Sequence, residues 1–286
     1  MPHKILEKTR LNSVMWKIVL EAPLVAKSAR CGQFVIVKID EKGERIPLTI
    51  NDFDLKKGTI TIIFQEVGTT TKRFGCLKKG DSVKDLLGPL GRPTDFGEAG
   101  KIILIAGGVG IAEILPIAKY AKNNANFVLT IIGSRSKELL ILEEELKKYS
   151  DKLIVTTNDG SYGLKGLVIE PLRDTLAKEQ FDLSYCVGPD IMMKAVSEVT
   201  KACNLKTFVS LDANMVDATG MCATCRVTVG GKTKFVCVDG PEFDGHLVDW
   251  DRFIKRQKRF VDEEKRSLEL FKSQHKECIY RGGEDG

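Results

Sequence analysis

The chain has 286 residues, 43% of them hydrophobic and 29% charged, with a net charge of +5. Such a composition fits a globular protein of two domains plus a small module, and so mild a charge argues against nucleic acid as a partner. The start, MPHKILEKTR, has no apolar signal segment, and the longest apolar run, IILIAGGVGIAEILPIA, is broken by glycines, Glu113 and Pro116. No membrane span is expected, and eight cysteines in a chain this long do not make a secreted disulfide scaffold, so the cytoplasm is the expected compartment.

From Lys4 to Val67 the chain reads as five strands, KILEKTRL, VMWKIVLEA, QFVIVKID, RIPLTIND and TITIIFQEV. Their spacing and period-two alternation predict an antiparallel β barrel over residues 1–98, wide enough to hold a planar ligand against one face. Arg45-Ile46-Pro47-Leu48-Thr49 lies on the fourth strand, where Pro47 forfeits a ladder hydrogen bond and so belongs at an edge. Gly68-Thr69-Thr70-Thr71 opens a short helix, as an anion site or as a plain N-cap. Gly88-Pro89-Leu90-Gly91 is expected as a tight turn before the next domain.

Over residues 99–209 strands and helices alternate, which predicts a doubly wound parallel sheet covered on both faces. The strands are IILIAGG, FVLTIIGSR, KLIVTTND, SYCVGP and KTFVSL. The helices are IAEILPIAKYAKNN, KELLILEEELKKYS with Ser136 as N-cap, LVIEPLRDTLAKE, and DIMMKAVSEVTKA capped by Asp190. Gly107, Gly108 and Gly110 end the first strand and open the first helix, where a diphosphate can approach the backbone. The following strand ends carry Ser134 and Arg135, then Asp159 and Gly160, then Gly188 and Pro189. Arg135 could hold a 2′-phosphate, whereas the acidic run Glu143, Glu144 and Glu145 counts against one.

Residues 210–250 form a cysteine module. Cys222 and Cys225 are two residues apart, and Cys237 returns after eleven more on a hairpin turning at Gly230-Gly231. Plant-type [2Fe–2S] proteins use Cys-x4-Cys-x2-Cys plus a distant fourth cysteine. The slot of the first cysteine is filled here by Asp217, an anionic oxygen donor. Asp217, Cys222, Cys225 and Cys237 thus read as ligands of a [2Fe–2S] cluster, with a redox dithiol or a structural zinc as competing readings. Cys31, Cys76, Cys186, Cys203 and Cys278 are expected as buried small apolar residues. Residues 251–286 are a charged amphipathic helix, covering its own protein or docking a partner.

The strand motif R-x-P-L-T, the Gly/Thr turn, GPLG and the AGGVG turn together resemble the ferredoxin–NADP reductase superfamily. That resemblance implies an FAD whose diphosphate meets Arg45 and the Gly68–Thr71 turn, and whose ring lies against Pro47, Leu48 and Thr49. The domain order and the TGMCATCRVTV and CVDGPEFDGHLVDW segments are similar to small subunits of NADH-dependent ferredoxin:NADP oxidoreductases, the sulfide dehydrogenase type. Asp217 sets the chain apart from dihydroorotate dehydrogenase electron-transfer subunits, which carry four cysteines. The resemblance implies NAD(H) as the nucleotide and a larger partner subunit with FAD, [4Fe–4S] clusters and the NADP(H) site. Ferredoxin would be reached through that complex. No side chain is required as an acid or base. The alternatives are the dihydroorotate role and a non-redox zinc-bearing nucleotide sensor.

Overall fold

The structure, a computed structural model, describes residues 3–41 and 43–275, so Cys278 lies outside the described residues. The N-terminal part holds β1 (His3–Arg10), β2 (Met15–Glu21), α1 (Pro23–Ser28), β3 (Phe34–Lys38), β4 (Arg45–Thr49), β5 (Asp52–Asp54), β6 (Thr59–Gln65), α2 (Thr69–Cys76), β7 (Ser82–Val83) and β8 (Asp85–Leu90). These strands form two antiparallel sheets, β5-β6-β2-β1-β7 and β4-β3-β8, where one barrel ladder was expected. The sheets share one core: Ile18, Leu20, Ile60, Ile62 and Phe64 from the first meet Val35, Val37 and Leu86 from the second. Alternation along β2 sends Ile18 and Leu20 into this core, while Met15, on the opposite face, packs into the core of the parallel sheet. GPLG is not a free turn; Gly88, Pro89 and Leu90 end β8.

The middle part holds β9 (Lys101–Gly107), α3 (Gly110–Asn123), β10 (Phe127–Ser134), α4 (Glu143–Lys148), β11 (Lys152–Thr157), β12 (Leu164–Lys165), α5 (Ile169–Leu176), β13 (Leu183–Val187), α6 (Asp190–Ala202) and β14 (Thr207–Ser210). The C-terminal part adds β15 (Arg226–Val229), β16 (Lys232–Phe235), α7 (Val236–Asp239), β17 (Glu242–Asp244), α8 (Trp250–Gln257) and α9 (Val261–Gln274). A seven-stranded sheet runs β12-β11-β10-β9-β13-β14-β17. Its strands are parallel except β17, which joins antiparallel to β14 and so stitches the cysteine module onto the nucleotide sheet. Strand order reverses between β9 and β13, and in open α/β sheets ligands bind beside the carboxyl ends at that switch. Both faces of β9 are buried, which is why IILIAG reads as an unbroken apolar run.

Local departures from the expected elements have identifiable causes. The helix expected over KELLILEEELKKYS is interrupted, because Leu142 takes a left-handed φ of 57° and α4 begins only after it. Asp190 occupies the first turn of α6 and Pro189 the cap. Strand β16 stops at Phe235, so Cys237 sits in the helical turn α7 and not on the returning strand. The C-terminal helix breaks between α8 and α9. Cys186 is buried and Cys31 and Cys76 are half-buried, but Cys203, at the end of α6, is exposed.

Candidate functional site

Three glycine positions shape the switch-point crevice. Gly108 adopts a φ of +59° with open space where a side chain would stand. Gly110 has no such room: a Cβ there would lie 2.5 Å from the Val187 carbonyl oxygen. The start of α3 is therefore pressed onto the end of β13, with the positive end of its dipole at the crevice. A Cβ on Gly188 would meet the Gly107 carbonyl oxygen at 2.9 Å, so the turns after β9 and β13 touch backbone to backbone. Ser134 is buried at the end of β10 and its hydroxyl donates to the Ser136 carbonyl at 2.7 Å, while Arg135 is exposed. Asp159 accepts from the Ser161 hydroxyl at 2.7 Å and its backbone N–H at 2.9 Å. The Ser161 hydroxyl is the main reason that the Asp159 pKa lies below its usual value. Gly160 follows in the same turn, at a φ of +77°, and Pro189 is exposed beyond Gly188.

Across the crevice, β4 pairs only with β3, the edge position that Pro47 suggested. Pro47, Leu48 and Thr49 are half-buried along it, and Arg45 is exposed, 3.8 Å from Asp85. At α2 the threonine hydroxyls are engaged within the protein. Thr71 accepts from the Val67 and Gly68 N–H groups, each at 3.0 Å, and so caps the helix. Thr70 donates to Glu44 at 2.6 Å, and the Thr69 hydroxyl meets that of Ser267 on α9 at 2.9 Å. An anion here would meet the open helix start at Gly68, where nothing lies within 4 Å of a built Cβ.

The crevice also collects carboxyl groups that the sequence reading passed over. Glu113 in the first turn of α3 is pushed up to about 7, mainly by burial and further by Asp212, against a hydrogen bond from Thr49. Asp190 is raised to about 6 by burial and then by Asp212. Asp212 is reached by solvent yet walled in by protein, and that desolvation raises its pKa too. Each is local in sequence to an ordinary helix start or strand end. Only the tertiary fold brings α3, α6, β4 and the segment after β14 together. Glu242 of β17 is a second such group: it accepts from Tyr185 at 2.8 Å and from the Thr94 hydroxyl, and burial raises it to about 7.

The cysteine module presents its donors as two pairs. Asp217 Oδ1 lies 3.3 Å from Cys222 Sγ, and Asp217 also accepts from the Thr219 and Cys222 N–H groups, each at 3.0 Å. Chiefly the Thr219 N–H holds the Asp217 pKa down, and chiefly the Thr224 hydroxyl lowers that of Cys222. In the second pair Cys225 Sγ and Cys237 Sγ are 3.3 Å apart, and burial pushes the Cys237 thiol up to about 12. A bound cation reverses that penalty by taking the thiolate directly. The loop reaches this shape through left-handed residues, Ala218 at φ 59°, Gly220 at 83° and Ala223 at 55°. Two other acids of this part of the chain stand elsewhere: Asp212 in the crevice, and Asp239 accepting from the Phe235 N–H and paired with Arg92 and Lys234.

Four donors in two pairs fit a two-iron cluster, in which each tetrahedral iron takes two protein ligands besides the bridging sulfides. On a tetrahedral ion with bonds of about 2.3 Å, two ligands sit about 3.8 Å apart, close to the spacing in each pair. Among the described residues no three His, Cys, Asp or Glu side chains converge as they would on one ion. Residues 212–249 match the family model for the iron–sulfur cluster binding domain of dihydroorotate dehydrogenase B, and residues 104–198 match the oxidoreductase NAD-binding domain. A dihydroorotate dehydrogenase B (NAD(+)) electron transfer subunit homolog of Thermotoga maritima is 43% identical over 94% of this chain and 95% of its own length.

The chain belongs to the dihydroorotate dehydrogenase B electron-transfer-subunit family. The electron transfer subunit of Streptococcus pneumoniae, 31% identical over 84% of this chain and 94% of its own, shares the same span. One chain from the structure of the NADH-dependent reduced ferredoxin–NADP oxidoreductase, described in the context of flavin-based electron bifurcation, superposes with a TM-score of 0.89. It is 43% identical and is covered over 98% of its length by 95% of this one. As a member of this family the chain joins an NAD(P)-binding domain of the Rossmann type to a C-terminal iron–sulfur-binding domain. Among the described residues no helix is long and apolar enough to cross a membrane.

Proposed function

We propose that this chain is a flavin and [2Fe–2S] electron-transfer subunit that exchanges a hydride with NAD(H) and passes single electrons to or from a larger partner. The observation that carries it is the two-pair donor set of Asp217 with Cys222 and Cys225 with Cys237, on a module stitched to a nucleotide-type sheet. When bound, an FAD would supply hydride exchange with the nicotinamide and release of electrons one at a time, and a [2Fe–2S] cluster would supply single-electron carriage. The chain's own residues bind and orient. Arg45 neutralises the FAD diphosphate at the helix start of Gly68, Thr69, Thr70 and Thr71, while Pro47, Leu48 and Thr49 line the ring. Gly107, Gly108 and Gly110 admit the NAD(H) diphosphate. Ser134 and Arg135 meet the ribose, Asp159 and Gly160 close over it, and Gly188 and Pro189 set the nicotinamide.

The partner in this reading is a larger subunit with FAD, [4Fe–4S] clusters and NADP(H), through which ferredoxin is reached, in the cytoplasm. The superposition on a chain of the ferredoxin–NADP oxidoreductase supports it. So does the apolar rim around the cysteine loop, where Val216, Met221 and Val238 are exposed. The dihydroorotate role is supported by the relatives' names, and Asp217 in a cysteine's slot counts against it. Asp217 provides the test. Asp217→Cys should keep a [2Fe–2S] cluster with an altered reduction potential and altered visible and EPR spectra, and Asp217→Ala should assemble poorly. Wild-type spectra and potential in both variants would remove Asp217 from the ligand set.

A further inference from the structure

Four arginines crowd the outer side of the cysteine loop. Arg226 Nη1 donates to the Ala223 carbonyl at 3.1 Å, and Arg256 Nη2 and Arg259 Nη2 donate to the Thr224 carbonyl at 3.1 Å and 3.4 Å. Ala223 and Thr224 are the two residues between Cys222 and Cys225. Arg252 stands beside them and donates to the Thr228 hydroxyl at 3.4 Å. A pocket of about 50 Å³ between the β15–β16 hairpin and α8 is lined by Arg226, Arg252 and Arg256 together. Among the described residues none of the four guanidiniums forms an ion pair. Carboxylates on neighbouring elements are engaged elsewhere, Asp251 with Lys194 and Asp239 with Arg92 and Lys234.

So many like charges in one place repel. Burial and the charges of Arg259, Arg226 and Arg252 lower the Arg256 pKa, and the neighbouring Cys225 thiolate opposes them. Solvent screens the exposed Arg226, Arg252 and Arg259, but Arg256 is half-buried, and a negative charge close by offsets its cost. The four proposed ligands, three thiolates and a carboxylate, lie within reach, and the centre they would hold gains one negative charge on reduction.

We infer that Arg226, Arg252, Arg256 and Arg259 form the counter-charge that raises the reduction potential of the centre held by Asp217, Cys222, Cys225 and Cys237. The inference rests on the reading of that site as a [2Fe–2S] centre. Two routes act in the same direction. The guanidinium charges lie close, that of Arg256 in partly desolvated surroundings, and favour the more negative reduced state. In addition, the peptide groups whose carbonyls accept from the arginines direct their N–H groups to the opposite side. The Thr224 N–H shares a peptide group with the Ala223 carbonyl and faces Cys222, so a charge pulling on that carbonyl strengthens it as a donor. Hydrogen bonds to cluster sulfurs and net charge are both levers on potential. The four are positioning residues; none touches a substrate.

The test is an EPR-monitored redox titration of the full chain, with iron and sulfide content measured on each sample. Arg256→Gln and Arg226→Gln should each lower the midpoint potential, and the double variant should lower it further. Arg256→Lys, which keeps the charge but not the planar fork, should fall between Arg256→Gln and wild type. Arg252→Gln, which touches no loop carbonyl, should give a smaller shift that weakens as salt is raised. If Arg256→Gln does not retain iron, Arg226→Gln and Arg252→Gln decide. Unchanged midpoints in variants with full iron and sulfide would overturn the inference. A wild-type chain reconstituted without iron and sulfide would instead overturn the reading of the site beneath it.

Discussion

Glu242 ties three stretches of chain together through a single carboxyl group. Its partners are Thr94, from the segment after β8, and Tyr185 on β13, and it stands on β17 of the cysteine module. Its pKa is raised from 4.5 to about 7, with burial the main cause. A carboxyl raised in the fold binds its proton more tightly there than in the unfolded chain. Its contribution to stability is therefore complete below the unfolded pKa and is lost as pH rises through about 7. Glu242→Gln keeps an acceptor for Tyr185 and Thr94 but cannot ionise. Denaturant titrations of both proteins should show the balance moving toward the variant from about pH 5 to about pH 8, by at most about 1.4 kcal/mol per pH unit. A pH-independent difference would mean that Glu242 titrates normally. The same burial explains why such groups are hard to find in sequence. Glu113 is a lone acid in an apolar run, but nothing near Glu242 in the chain marks it, and the partners of both, Thr49 and Asp212 for one and Thr94 and Tyr185 for the other, lie 57 or more positions away.

At the scale of elements, the turn from β9 into α3 was legible because its chemistry is local. Gly108 and Gly110 answer to backbone requirements, a positive φ and a close approach to the Val187 carbonyl, and the apolar run before them answers to burial on both faces. Gly110→Ala tests this most directly, since the new Cβ would meet backbone, the Val187 carbonyl and Gly188 Cα at 2.5 Å and 3.0 Å, which cannot swing aside as a side chain would. Overpacking of this kind costs roughly 1–3 kcal/mol. The variant should show a lower urea midpoint and, because α3 is displaced from the crevice, weaker NADH binding by fluorescence titration. Gly108→Ala, into open space but at positive φ, should cost less. Other elements were not legible, for the opposite reason. Strands β7, β12 and β17 are two or three residues long and exist only through their partners β1, β11 and β14, of which only β11 is near in sequence. The helical turn at Cys237 was hidden because KFVCV alternates like a strand, while the Val236 N–H in fact bonds back to the Cys225 carbonyl at 3.2 Å. The reading of Cys-x-x-Cys and the Asp217 slot does not depend on that strand, since it uses chain distance alone.

Across the whole molecule, the cysteine module is not an appendage that could melt by itself. One core runs from Phe34 and Ile36 of β3, through Ile103, Ile105, Leu129, Ile131 and Val209 of the parallel sheet, to Val227, Val236, Cys237 and Phe253. Strand β17 adds backbone hydrogen bonds between module and sheet, and the Arg92 N–H donates to the Gly240 carbonyl at 2.6 Å from the N-terminal side. Cooperative units follow shared cores, so the module and the parallel sheet should unfold together. The chain's two tryptophans allow this to be read out. Trp16 lies on β2 and donates to Glu66 at 2.6 Å, whereas Trp250 opens α8, is buried, and donates to the Gly245 carbonyl at 3.0 Å. In Trp16→Phe only Trp250 remains to fluoresce, and its unfolding curve in urea should coincide with the loss of helical ellipticity, which is weighted toward α3 and α6. If the proposed cluster is held there, removing it with a chelator should shift both curves to lower urea by the same amount, because ligand binding to the native state stabilises everything that unfolds with it. A Trp250 transition that runs ahead of the ellipticity, with or without chelator, would show that the module opens on its own and that the shared core does not couple it to the nucleotide sheet.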